Sequence, residues 1–258
     1  MGSASREALS QARAALTDQV AAGTGVELLR ASAQIEANPA LAAVLGDPSA
    51  EVAGKTRLVE RVFAGASADA RAILVAAVTA RWSTVNEFIA GVEDLGLRAA
   101  ARDAAALSDE LLSAAEVIDG SHELQLNLGS KLAAPEKKVA LAERLFAGKL
   151  SSEAVTVVSH LVANPRGRRV DVALRRAAQV VADERGTELA TVTVAAPLSA
   201  EQQDRLARLL AESAGRSVKI TTVIDPSVIG GVRIQLADDV IDGSVRARLD
   251  DLRQKLAG

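Results

Sequence analysis

The sequence predicts a mainly α protein: two related N-terminal helical bundle units followed by a small C-terminal α/β domain of order β-α-β-β-α. Three observations predict it. Apolar residues recur at helical spacing over residues 1–186. A stretch within that region aligns to a later one without a gap. Beyond residue 186 the period changes to the alternation of strands. Aromatic residues make up 2% of the chain, so Ala, Leu and Val must build the cores, and such small side chains favour closely packed helices.

Taken in order, "REALSQARAALTDQV" sets Leu9, Ala12, Leu16 and Val20 at helical spacing. "NPAL" and "GDPSAE" supply stops. "AGKTRLVERVFAG" places Leu58, Val62 and Phe63 on one side, and "DARAILVAAVTARW" is apolar nearly all round, which predicts a central helix. "KTRLVERVFAG" (55–65) then aligns with "KVALAERLFAG" (138–148), seven of eleven positions matching at an offset of 83 (146 − 63 for the phenylalanines). At the same offset Ile35 meets Ile118, Leu41 meets Leu124, and Leu45-Gly46 meets Leu128-Gly129. The period is too long for a solenoid repeat and predicts duplicated bundles over 1–97 and 98–186.

Residues 187–258 form the third part. "TELATVTVAA" alternates Thr191 and Thr193 against Ala190, Val192 and Val194. "PLSAEQQDRLARLLAESAG" opens on a capping box, Ser199 to Gln202, and stops at Gly215. "SVKITTVI" and "GGVRIQLA" read as two more strands, with Asp238-Asp239 as a turn. "GSVRARLDDLRQKL" reads as a closing helix with Val245, Leu249, Leu252 and Leu256 in one stripe. Gly230-Gly231 leads into a strand rather than a helix, which argues against a phosphate loop and predicts a bulge or close backbone approach.

Charge and composition exclude several function classes. A net charge of −3 argues against a general nucleic-acid binder. Zero cysteines exclude disulfides and thiolate metal sites and suit a reducing compartment. No apolar run approaches the ~20 residues of a membrane span, and the N-terminal segment lacks the apolar core of a signal peptide, so a soluble protein is expected. His122 and His160 are the histidines, each in a helical stretch and without a nucleophile partner, so no catalytic or cofactor constellation is read. Asp238-Asp239 and Asp250-Asp251 are adjacent pairs that diverge around their elements and read as solvated surface rather than a metal site. Trp82 reads as a core anchor. The cluster Arg166, Arg168, Arg169, Arg175 and Arg176 supports an alternative, a nucleic-acid-binding protein, although no aromatic residues interleave it for base stacking.

What survives is an excess of amphipathic helical surface, and here the chain resembles a known family. "VAAPLSAEQQDRL" (194–206) and "VIDPSVIGGVRIQLADDVIDGSVRARLDDL" (223–252) are similar to the C-terminal signature of the delta subunit of bacterial F-type ATP synthase, related to the mitochondrial oligomycin-sensitivity-conferring protein. "APEKKVALAERLFAGKLSSEAVTVVSHLVANPRGRR" (134–169) resembles the family's helical domain, and "NPALAAVLGDP" with "KTRLVERVFAG" resembles it a second time. The usual member has one bundle; two resemble the long actinobacterial form.

The resemblance implies a non-catalytic subunit of the peripheral stalk that joins the catalytic head to the stalk and resists rotor torque. It implies as partners the alpha-subunit N-terminal helices and the distal end of the b-subunit coiled coil, with no cofactor and no nucleic acid. It places the chain at the cytoplasmic face of the membrane, held there through the complex. By family architecture the alpha-facing grooves fall at Leu9, Ala12, Leu16 and Ile73 to Val78 in the first unit, and at Leu107, Leu111 and Val155 to Leu161 in the second. The stalk contact falls on the last helix at Val245, Leu249, Leu252 and Leu256. Helix-in-groove docking needs apolar clefts of this kind and no catalytic side chains.

Overall fold

A computed structural model describes residues 1–130, 132–225, 228, 230–236 and 239–243. It is mainly helical with a small C-terminal sheet, and it divides into two compact units, Met1–Val181 and Ala182–Gly258.

The first unit opens with α1 (Ser3–Arg13), then α2 (Thr24–Ala37), α3 (Pro39–Gly46), α4 (Val52–Val62), α5 (Ala68–Thr79) and α6 (Val85–Asp103). It continues through α7 (Leu107–Asp119), α8 (His122–Gly129), α9 (Pro135–Phe146), α10 (Ser152–Ala163) and α11 (Val170–Glu184). The second series repeats the first. The starts of α7, α8 and α9 stand 83 residues after those of α2, α3 and α4 (107 − 24, 122 − 39 and 135 − 52). One extra residue before α10 raises the offset to 84 (152 − 68), and another before α11 to 85 (170 − 85).

Local chemistry repeats with the helices. Asn38 caps α3 by accepting from Leu41 N–H, and Ser121 caps α8 by accepting from Leu124 N–H. Ser67 caps α5 and gives its own N–H to Glu27 at 3.0 Å; Ser151 caps α10 and gives its own to Glu110 at 2.7 Å. Each capping serine therefore ties its helix to the first turn of a matching helix, α2 in the first repeat and its counterpart α7 in the second. These are long-range bonds, across 40 and 41 residues of chain, so they set tertiary register as well as helix ends.

At the 83 offset α1 corresponds to residues 86–96, which lie inside α6. Thus α6 closes the first repeat and occupies the opening position of the second. It is correspondingly enclosed, every residue from Gly91 to Ala101 being buried. The apolar all-round α5 is not the central helix that its sequence suggests: Ala68, Ala72 and Thr79 are exposed. Alanine costs little when solvated, so an all-apolar pattern built on it does not require enclosure. α6 meets the requirement instead with small residues. A Cβ on Gly25 of α2 would lie 2.5 Å from the Ala100 backbone nitrogen, so the two helices touch through backbone at that point.

One core holds α1 to α6 together through Leu28, Ala31, Ile35, Leu45, Val59, Ile73, Leu74, Phe88, Val92 and Leu95. Trp82 belongs to it, 3% exposed, with its indole N–H donating to Ala77 O at 2.7 Å and its ring edge-on to Phe88. That is the anchoring role expected for it.

The second unit carries β1 (Thr187–Val194), α12 (Ala200–Ala214), β2 (Ser217–Ile224), β3 (Val232–Leu236) and β4 (Asp239–Asp242). The sheet order is β2-β1-β3-β4, with β1 and β2 parallel and the other pairs antiparallel. α12 makes the crossover that a parallel pair requires. Its capping box, Ser199 with Gln202, forms as expected, and Gly215 ends it. Ala190, Val192, Val194, Leu210 and Ile234 form a small core beneath this sheet.

Two details differ from expectation. Asp239, read as part of a turn, opens β4, where it pairs with Leu236. Gly230 and Gly231 both have positive φ, 83° and 82°, and stand just before β3; the β1–β3 register runs through without a bulge. The pair turns the chain into the strand in a conformation that residues with a side chain rarely adopt. The expected closing helix with Val245, Leu249, Leu252 and Leu256 lies outside the described residues.

Candidate functional site

The chemistry of the helical unit concentrates where the two repeats meet. α2 buries two faces. Leu28, Ala31 and Ile35 point into the first repeat's core. Gly25, Leu29, Ser32 and Glu36, spaced 4, 3 and 4 residues apart, form a neighbouring stripe toward α6 and the α10–α11 loop. Glu36 is the partly open end of that stripe.

Arg166, in the loop after α10, reaches this stripe. Its Nε donates to Glu36 at 2.9 Å and its Nη2 donates to Ser32 Oγ at 2.7 Å. Nη2 also lies 3.2 Å from Glu93 of α6. Arg168 donates to the other Glu93 oxygen at 3.2 Å, and His160 of α10 sits 3.1 Å from Glu93. The Glu93 side chain is only 6% exposed, so an ionised carboxylate here needs all three partners. Burial pushes its pKa up, but the His160 hydrogen bond and the Arg166 and Arg168 charges outweigh that and hold it below the usual glutamate value. Asp94, next along α6, moves the other way: burial raises its pKa although Arg98 lies 2.6 Å away.

Arg166 shows the cost of this junction. Among the described residues it is the non-glycine with positive φ, at 48°, and its Nη1 is buried without a hydrogen-bond partner. The surrounding bonds hold a backbone conformation that the residue would not choose alone.

The rest of the arginine cluster is also committed. Arg169 pairs with Asp119 and Asp171, each at 3.0 Å, and Arg175 approaches Asp119 at 3.5 Å. Arg176 faces the cleft beside Asp94, whose carboxyl its charge affects. That cleft has a volume of about 460 Å³ and is lined by α6 residues such as Ile89 and Leu97, by Leu161, and by Ala173 and Ala177 of α11. Ion pairs to the chain's own carboxylates engage Arg166, Arg168, Arg169 and Arg175, which reduces the free basic face that nucleic-acid binding needs.

The residues expected from sequence to face the alpha subunit are placed as follows. Ala12, Leu16, Ile73, Val78, Leu107, Leu111 and Leu161 are buried. Leu9 and Val155 are half-buried and remain partly accessible. Leu9, Ala12, Leu16, Ile73 and Val78 are brought together in one core with α1 packed on α5. Leu107 and Leu111 lie on α7, the counterpart of α2, whereas the counterpart of α1 is the first half of α6. Sequence reasoning missed Glu93, Glu36 and Ser32 as partners of the arginine cluster. The carboxylates at 36 and 93 are visible in the sequence, but nothing in linear sequence joins residues 93 and 166.

Residues 96–256 match the family model described as ATP synthase delta (OSCP) subunit. A protein named ATP synthase subunit delta from Leifsonia xyli is 43% identical over the whole of both chains. The chain belongs to the ATP synthase delta (OSCP) subunit family. It is accordingly a peripheral-stalk subunit of F-type ATP synthase and a component of that membrane-associated complex. A delta subunit from Kineococcus radiotolerans is 34% identical over 91% of this chain and 88% of its own. A chain in the cryo-EM structure of the Toxoplasma gondii mitochondrial ATP synthase hexamer aligns with 24% identity and a TM-score of 0.40, covering 58% of this chain and 85% of that one. Within this delta-family chain the family match begins inside α6, so it covers the second repeat and the C-terminal unit. Among the described residues no helix is long and apolar enough to cross a membrane, and no group of three potential metal ligands occurs.

Proposed function

We propose that the chain is the non-catalytic coupler between the catalytic head and the b-subunit stalk, at the cytoplasmic face of the membrane. The helical repeats, read as modules 1–97 and 98–186, serve the head by receiving alpha-subunit N-terminal helices. The module 187–258 serves the stalk, through the segment bearing Val245, Leu249, Leu252 and Leu256, by holding the b-subunit coiled coil. The observation carrying this reading is the full-length likeness to a delta subunit, joined to a helical unit in which Arg166, Arg168 and Arg169 are spent on internal pairing. His160 is engaged with Glu93, which suits a structural role.

Torque resistance follows from contacts at two ends of one chain, because linked interfaces raise the effective concentration of each other. The test is to strip the chain from ATP synthase in isolated membranes and wash them. The head should then leave the membrane and return when the chain is added back. A head that stays attached without the chain overturns the reading.

A further inference from the structure

The turn between α10 and α11 joins the second repeat to the first through a residue that does not suit it. Arg168 N–H donates to Pro165 O at 2.9 Å, closing a turn whose central residues, Arg166 and Gly167, have φ of 48° and 74°. Turns with positive φ at both central positions favour Asn, Asp and Gly, which tolerate the left-handed region. Gly167 fits that rule and Arg166 breaks it, so what the Arg166 side chain holds must keep the backbone in place. It holds Ser32 and Glu36 of α2 in the first repeat, and Glu93 of α6. Arg168 and His160 also reach Glu93, but of these three side chains Arg166 is the one bonded to α2.

Two further features leave the second repeat room to part from α6. The chain leaves α6 at Ala104 in an extended conformation (φ −131°, ψ 108°), and the short connection Ala104–Ala106 leads into α7. Residues at the ends of elements are where hinge rotations are absorbed. The cleft of about 460 Å³ lies beside the same turn, with Ile89 and Leu97 of α6 on one wall and Ala173 and Ala177 of α11 on the other. The two helices are therefore not packed flush there, as a fixed interface would be. We propose that Arg166 is a latch. Closed, it fastens the second repeat to α2 and α6; released, it lets the turn relax and the repeat swing about the α6–α7 connection as an intact bundle. Backbone strain and the buried, unbonded Nη1 favour release, while the bonds to Ser32, Glu36 and Glu93 favour closure. Release begins at Glu36, whose side chain is the more open of the two carboxylates, 34% exposed against 6% for Glu93.

The chain has no cysteine, so the latch can be tested in the full chain with single reporters. Ala177→Cys replaces a residue of the cleft wall that is 2% exposed. Ala77→Cys and Ala114→Cys report from inside the first and second repeats, at positions that are 0% exposed. Maleimide labelling under native conditions reads how often each site opens. Adding Arg166→Asn removes the grip and supplies a residue that the turn accepts. It should speed labelling at Ala177→Cys at least about tenfold, the factor that hydrogen bonds to charged groups carry, and leave the other two reporters at their parent rates. Glu36→Gln should act in the same direction by a smaller factor, because Ser32 and Glu93 still hold Arg166. Arg168→Gln leaves the α2 bonds in place and should also act less than Arg166→Asn.

An unchanged rate at Ala177→Cys in the Arg166→Asn background overturns the latch. A parallel rise at Ala77→Cys or Ala114→Cys overturns it too, since Arg166 would then hold the bundles themselves together. Arg168→Gln acting as strongly as Arg166→Asn assigns closure to Glu93 alone and overturns the part given to α2. Should Arg166→Asn fail to fold, Glu36→Gln decides alone, and no acceleration at Ala177→Cys overturns the latch.

Discussion

The two repeats share one plan but are sealed by different chemistry. In the first, Trp82 stacks edge-on to Phe88 and its ring covers Gly91. Gly46 at the end of α3 packs near Phe88, and α3 sinks Leu41, Ala42 and Leu45. At the 85 offset of the last helix, the counterpart of Phe88 is Ala173 and that of Trp82 is Gly167. The second repeat thus lacks the aromatic plug, and α8 buries Leu128 while leaving Leu126 61% exposed. Its closing loop instead carries the arginines that grip Glu93, Glu36 and Asp119. An identical helix plan can therefore be locked by dispersion or by ion pairing. The ionic version joins the repeat to its neighbour, while the aromatic version seals the repeat upon itself.

Four changes break or sharpen this contrast. The largest effect belongs to the plug. Phe88→Ala should cost about 3–5 kcal/mol in urea unfolding, whereas Leu126→Ala on α8 of the second repeat should stay within about 0.5 kcal/mol. Equal costs would mean that the two repeats are sealed alike.

Next comes the ionic junction. Glu93→Gln leaves Arg166 and Arg168 facing a neutral amide and should cost about 3 kcal/mol at neutral pH. The sign with pH is set by the depressed pKa of Glu93. Its contribution is complete above the unfolded value near 4.5 and is lost as pH falls through the lower folded value. Stability curves of the parent and Glu93→Gln should therefore converge as pH falls from the unfolded value through the lower folded one. A gap that widens in acid would contradict the assignment.

A smaller effect tests the close approach of α2 and α6. Gly25→Ser installs the residue found at the counterpart position, Ser108, where the hydroxyl donates to Ala178 O at 3.2 Å. At position 25 the added Cβ meets the Ala100 backbone, so the change should cost about 1–3 kcal/mol. A neutral result would show that α2 can lift from α6 without penalty.

The smallest expected difference is between the two capping serines. Ser67→Ala and Ser151→Ala should each cost about 1–2 kcal/mol and agree within about 0.5 kcal/mol, because each removes a helix cap and the bond that the serine hydroxyl donates to Glu27 or Glu110, while the backbone N–H bond stays. Unequal costs would show that the repeats have diverged even at this shared bond.

Much of this molecule was legible before any coordinates. The duplication could be read from Phe63 and Phe146, the α12 capping box from Ser199 and Gln202, and β1 from the alternation around Val192. All three are local or periodic signals, and local backbone preferences act over a few residues. The family signature at 223–252 could be read for the same reason, since it is a run of adjacent residues.

What the sequence by itself determined was therefore the helical and strand character of most elements, β4 excepted, together with the repeat and the family. The tertiary structure decided which apolar helix is enclosed, choosing α6 with its Glu93 and Asp94 over the greasier α5. It also decided the fate of the arginine cluster, pairing Arg166 with carboxylates 130 and 73 residues earlier in the chain (166 − 36 and 166 − 93). The physical reason is common to both. Enclosure and ion pairing depend on what arrives from elsewhere in the chain, and no periodicity within a single helix encodes its neighbours.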